Sequence, residues 1–144
     1  KQCLYASSPD RGLEFLESIW PRVLSEHPDA KLVVTYKEGQ RRTNEDMNSL
    51  YQQSDILAYP CMGQERFCIT VAKAQLYGAI PCVIPHMALR NTTKYGIKCL
   101  KENYLESIIK LLHTNNRDEV RKEMTENVVF STWDQIVDQW EKKW

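Results

Sequence analysis

The chain has 144 residues, which suits one domain, 1–144, with a buried core of its own. Nineteen basic and nineteen acidic residues leave no formal net charge, which argues against nucleic acid as a partner because phosphate-backbone binding calls for a basic excess. No apolar run approaches the ~20 residues that cross a bilayer, and no signal-peptide pattern opens the sequence. A cytoplasmic location without a transmembrane segment is expected.

In chain order, residues 2–7 read as a first strand and Ser8-Pro9-Asp10-Arg11-Gly12 as turn chemistry. Leu13, Phe15, Leu16, Ile19, Val23 and Leu24 recur at helical spacing, and His27-Pro28-Asp29 ends that helix. Pro21 is expected to kink or restart it, since proline lacks a backbone donor. Residues 32–36 form a β-branched second strand, followed by a charged loop over 37–42. Thr43 or Asn44 can cap a helix reaching about Ser54, with Met47, Leu50 and Tyr51 on its inner face. Residues 56–59 are a third strand, 82–84 a fourth and 97–100 a short fifth, with a loop over 85–94. Helices are expected over 104–113, 118–127 and 132–144, with Ser131 capping the last and Phe130, Trp133, Ile136, Val137 and Trp140 forming its apolar stripe.

Strands alternating with helices imply an α/β fold: a Rossmann-like parallel sheet with helices on both faces. Ligands in such folds sit beyond the carboxyl ends of the strands. The loops over 7–12, 36–42 and 60–67 converge there, with the 85–94 loop on the same edge. The central stretch, Tyr59-Pro60-Cys61-Met62-Gly63-Gln64-Glu65-Arg66-Phe67-Cys68-Ile69-Thr70, leaves a strand and feeds a helix that Gly78 ends. A helix start gathers free backbone N–H groups and suits an anion. Glu65 and the amides of Phe67, Cys68 and Ile69 are therefore expected to grip one ligand.

Other chemistries find no support. The five glycines form neither a G-x-G-x-x-G fingerprint nor a Walker A loop, and no nucleophile triad, H-E-x-x-H or metal-ligand spacing occurs. The cysteines (Cys3, Cys61, Cys68, Cys82 and Cys99) are odd in number and include no C-x-x-C pair. They read as small buried hydrophobes in a reducing compartment. The sequence opens at Lys1 inside a strand-like run without methionine, and a piece of a longer two-domain protein is expected.

Leu4-Tyr5-Ala6-Ser7-Ser8-Pro9-Asp10-Arg11-Gly12-Leu13, with His27-Pro28-Asp29-Ala30-Lys31-Leu32, resembles the opening of the C-terminal domain of GT-B glycosyltransferases. The retaining "group 1" type, sequence family four, is the nearest group. Asp55-Ile56-Leu57-Ala58-Tyr59-Pro60, Glu65-Arg66-Phe67-Cys68-Ile69-Thr70 and Ala74-Gln75-Leu76-Tyr77-Gly78-Ala79-Ile80-Pro81 look like that family's donor-site signature, and Ser131 to Trp140 is similar to its closing helix.

The resemblance implies one Rossmann-like half of a GT-B enzyme, holding a nucleotide-diphosphate sugar. Transfer would go to a glycan or lipid acceptor carried by another, N-terminal domain, and no metal or other cofactor is implied. Arg11 would face the diphosphate, Glu65 the sugar hydroxyls, and the amides of Phe67, Cys68 and Ile69 the distal phosphate.

The sequence also departs from the pattern. Lys73 stands where a second glutamate would hold the ribose, and it can only donate. Ala6 stands where another basic residue is usual, leaving Ser7 and Ser8 as weaker phosphate partners. The segment before Asp55 is too short for the extra strand usual there. These departures keep open an alternative, a degenerate non-catalytic module used for protein association through a face near Trp133, Trp140 and Trp144. A flavodoxin-like signalling domain fits the pattern of elements but lacks the acidic pocket.

Overall fold

Every side chain of the two central strands is buried, as it must be in a sheet covered on both faces. The computed structural model describes residues 1–36 and 42–142. Strands β1 (Gln2–Tyr5), β2 (Lys31–Val34), β3 (Ile56–Tyr59), β4 (Ile80–Val83) and β5 (Ile97–Lys98) form one sheet in the order β2-β1-β3-β4-β5. All four pairings are parallel. The helices are α1 (Leu13–Glu26), α2 (Asn44–Gln53), α3 (Ile69–Tyr77), the single turn α4 (Leu89–Thr92), α5 (Tyr104–His113), α6 (Arg117–Asn127) and α7 (Trp133–Glu141). The Rossmann-like α/β architecture read from the sequence is the one observed.

Strand alternation divides the core in two. Cys3 and Tyr5 of β1 face a cluster that includes Leu16 and Val23 of α1, Ile108 and Leu112 of α5 and Met124 of α6. Leu4 faces the other, with Tyr51 of α2 and Val71 and Ala74 of α3. From β1 the chain crosses to β2 at one edge, then returns to β3 on the other side of β1. The point of reversal lies between β1 and β3, and ligands in open α/β sheets sit in the crevice outside the carboxyl ends of the strands at such a point.

Several local expectations need correction. Helix α1 runs unbroken through Pro21; that residue is exposed, so the lost backbone bond falls on the solvent side. Strand β4 starts at Ile80, two residues early, and includes Pro81 in its parallel ladder. Ile80 donates its amide to the Asp55 carbonyl at 3.0 Å, so amides alternate sides and the donor missing at Pro81 points away from β3. The β5 ladder begins only at Cys82, and Gly96 lets the chain pass over the Pro81 carbonyl, with φ +105° and no room for a Cβ.

The loop expected over 85–94 contains the turn α4, and β5 covers only Ile97–Lys98. The cap of α7 is Thr132 rather than Ser131: its hydroxyl accepts from the Gln135 amide at 3.3 Å while Gln135 Oε1 accepts from the Thr132 amide at 2.9 Å. Of the proposed apolar stripe, Phe130 packs edge-on against Phe67 at 6.1 Å, and Val137 is exposed. The side chains of Trp133, Ile136 and Trp140, the whole of Trp144 and most of the 37–42 loop lie outside what is described.

Four cysteines are buried free thiols; Cys99 is half-buried, with its thiol lowered to about 7 by a hydrogen bond from Cys82. Among the described residues, no helix is long and apolar enough to cross a membrane.

Candidate functional site

The first loop brings Arg11 into the crevice. Tyr5, fully buried at the end of β1, donates its hydroxyl to the Ser8 carbonyl at 2.7 Å, and a 3-10 turn over Pro9–Arg11 follows. Gly12 closes that turn at φ +102°, where a Cβ would lie 2.6 Å from the Pro60 carbonyl oxygen. A left-handed residue without a side chain is needed there, because the loops after β1 and β3 touch at this point.

The central loop supplies Glu65. Its own carbonyl accepts from the Ala88 amide at 3.2 Å, the Phe67 carbonyl accepts from the Thr92 hydroxyl, and Thr70 Oγ1 donates to the Ala6 carbonyl at 3.1 Å. The loop is thus tied to β1 on one side and to α4 on the other. Cys68, immediately before α3, is held at φ 66°, ψ 75°, a left-handed conformation uncommon outside glycine. The surrounding bonds impose this strain on the residue that opens α3. Burial pushes the Cys68 thiol up to about 11, so the side chain is a thiol, not a thiolate.

The result is one cleft of about 450 Å³ lined by Ser7, Ser8, Arg11, Tyr59, residues 64–67 and the start of α3 through Thr70. Arg11 Nη1 lies 2.9 Å from Glu65 Oε1 and donates to the Gln64 carbonyl at 3.3 Å. Contacts with Cys61 and then Glu65 raise the pKa of the guanidinium still further. Asp10 lies 3.6 Å from Arg11 Nε but is largely exposed. Among the described residues, the amides of Phe67, Cys68, Ile69 and Thr70 have no protein acceptor. Those of Ile69 and Thr70 open a helix and have no intrahelical partner to find.

Of the residues named from the sequence, Arg11, Glu65, Ser7, Ser8, Phe67, Cys68 and Ile69 line this cleft. Lys73 is not among them: its ammonium donates to Asn44 Oδ1 at 3.1 Å, at the first residue of α2. The sequence reading missed Tyr59. It is buried, its ring stacks on Tyr5 at 6.4 Å, and its hydroxyl donates to Glu65 Oε1 at 2.6 Å. Position six before Glu65, at the end of an apolar strand, gave no signal separating it from a core tyrosine.

The chain matches no protein-family profile and no curated protein by sequence. Among solved structures it is similar to the catalytic domain of starch synthase IV from Arabidopsis thaliana bound to ADP and acarbose, with a TM-score of 0.68 and 15% identity. The match covers 98% of this chain and 36% of that one, so the chain spans little more than a third of its neighbour's length. The likeness is one of fold: this chain matches one Rossmann-like half of a GT-B glycosyltransferase.

Proposed function

We propose that this chain holds the nucleotide-sugar donor of a glycosyltransferase of the retaining kind. The observation that carries this reading is the convergence of Arg11, Glu65 and the open amides of α3 in one cleft at the point of strand reversal. The similar fold of a starch synthase domain with bound ADP adds support, as does the donor-site signature in the sequence.

In this reading the amides at the start of α3 and the guanidinium of Arg11 receive the diphosphate. Arg11 uses Nη1 on Glu65, and its planar fork leaves the other terminal nitrogen for a phosphate oxygen. As the bond between the anomeric carbon and the distal phosphate oxygen breaks, negative charge grows on the leaving diphosphate. Donors already in place stabilise that charge without reorganising. Glu65 accepts hydrogen bonds from sugar hydroxyls. The glycan or lipid acceptor is brought by another domain, and the proposed step draws on no metal or other cofactor.

Calorimetric titration with UDP-, GDP- and ADP-sugars tests the reading. Binding to one of them is expected, weakened about ten- to a hundredfold in Arg11→Ala by loss of charge-assisted bonds. The assignment fails if none binds at millimolar concentration and if both Arg11→Ala and Glu65→Ala leave transfer by the full-length protein unchanged. In that case the association-module reading, which the position of Lys73 away from the cleft favours, takes its place.

A further inference from the structure

The two hydrogen bonds to the Glu65 carboxylate fall on the same oxygen. Tyr59 Oη lies 2.6 Å and Arg11 Nη1 2.9 Å from Oε1. Among the described residues, Oε2 has no protein donor. The carboxylate is thus pinned by one oxygen from two directions, with the other left to a ligand.

The pin itself is rigid. The Tyr59 ring ends a central strand, is 1% exposed and stacks on Tyr5 at an interplanar angle of 25°. Its hydroxyl also lies 3.4 Å from Ser7 Oγ. Because the single phenolic proton goes to Glu65, the serine must be the donor in this second contact. Burial, and then the bond to Glu65, raise the pKa of this phenol far above the ordinary tyrosine value, so it remains a donor across the usable pH range. One chain of hydrogen bonds therefore joins the loop after β1 to the loop after β3: Ser7 to Tyr59 to Glu65, with Arg11 completing it.

We propose that Tyr59 is a positioning residue for the donor sugar, fixing Glu65 so that Oε2 alone is presented to the sugar hydroxyls. The inference rests on the donor-site reading above. Arg11 is an inadequate substitute. It must also serve the diphosphate, and a guanidinium drawn toward phosphate would take the carboxylate with it unless a second, immobile donor opposed that movement. Tyr59 sits on the sheet and provides the opposition. It acts on sugar recognition through Glu65 and leaves the phosphate contacts to Arg11 and α3.

The test is a double-mutant cycle read with two ligands, the nucleoside diphosphate and the corresponding nucleotide sugar. Tyr59→Phe removes only the hydroxyl. Affinity for the diphosphate should be unchanged, while the extra affinity contributed by the sugar should fall about tenfold. In a Glu65→Ala background, Tyr59→Phe should add no further loss.

A merely structural role would weaken both ligands together or add to Glu65→Ala, and either result overturns the proposal, as does no effect of Tyr59→Phe on the sugar. Glu65→Asp offers a second route if Tyr59→Phe does not fold. Withdrawing the carboxylate by one methylene should lower sugar affinity while diphosphate binding persists, and normal sugar affinity in that variant would refute the positioning role. If wild-type protein binds neither ligand, the donor-site reading has failed instead.

Discussion

Gln75 holds the far side of the cleft loop without approaching a ligand. It is fully buried in α3, and its amide makes four hydrogen bonds: Nε2 to the Val71 and Thr92 carbonyls at 2.9 and 3.0 Å, and Oε1 from the Lys94 and Tyr95 amides at 2.7 and 2.9 Å. Thr92 in turn holds the Phe67 carbonyl. Gln75→Met keeps the volume but strips the partners from the part-buried Lys94 and Tyr95 amides and from the Thr92 carbonyl. With each orphaned group costing about 1–3 kcal/mol, a loss of about 3 kcal/mol or more is expected in urea unfolding. A loss under about 1 kcal/mol would show that water or a shifted backbone replaces these bonds. Arg11 and Glu65 were legible in the sequence because unusual residue types recur in a recognisable order around them. Gln75 and Tyr59 were not, because a glutamine on a helix and a tyrosine on a strand announce nothing until the segment they bracket is known.

At the scale of elements, the signals that were read correctly are local and chemical. Thr43 and Asp46 form a reciprocal capping box at the start of α2, with Thr43 Oγ1 accepting from the Asp46 amide at 3.1 Å. Gly78 ends α3 at φ 96°. The cap of α7 was misread by one residue within a local motif, whereas at both prolines a strong local rule is overridden by tertiary context. Pro81 pairs in a central strand because its missing donor faces a stretch that β5 has not yet reached. Pro21 stays in α1 because Leu16 and Val23 on either side of it are fully buried, fixing the helix through its exposed turn. That continuity carries a prediction. Proline in a helix interior costs about 3 kcal/mol relative to alanine, less about 0.4–1 kcal/mol recovered from the stiffer unfolded chain. Pro21→Ala is therefore expected to stabilise the protein by about 2–2.6 kcal/mol, seen as a higher urea midpoint with an unchanged slope. A neutral or lower midpoint would mean that the ring packs usefully where it is.

Across the whole molecule the two edges of the sheet divide the work. The carboxyl edge carries the cleft, with its strained Cys68 and open amides. The amino edge carries fastenings: Asp55 pairs with Arg117 at 3.5 Å and Arg121 at 3.9 Å, and Arg121 also donates to the Gln52 and Gly78 carbonyls. His27, which ends α1 at that edge, is buried against His113 of α5 with ring centroids 4.2 Å apart. Its Nδ1 lies 3.0 Å from Lys1 Nζ and its Nε2 3.4 Å from the Ile109 carbonyl. Burial lowers its pKa most, with Lys1 and His113 acting in the same direction and the Ile109 carbonyl and Asp29 opposing them. An unfolded histidine titrates near ~6.5, so below that pH the unfolded chain binds a proton that the folded chain resists. No such penalty exists above that value. It grows as the pH falls toward the lower folded pKa and is complete beneath it. Urea midpoints measured from pH 8 to pH 5 should therefore hold until about 6.5 and then decline. His27→Gln should start less stable yet decline less steeply over that interval. Because His27 lies at the edge opposite the cleft, the same variant should leave the proposed nucleotide binding unaltered at pH 8. Equal slopes in variant and wild type would locate the acid sensitivity elsewhere, and an altered nucleotide affinity would show that the two edges are coupled.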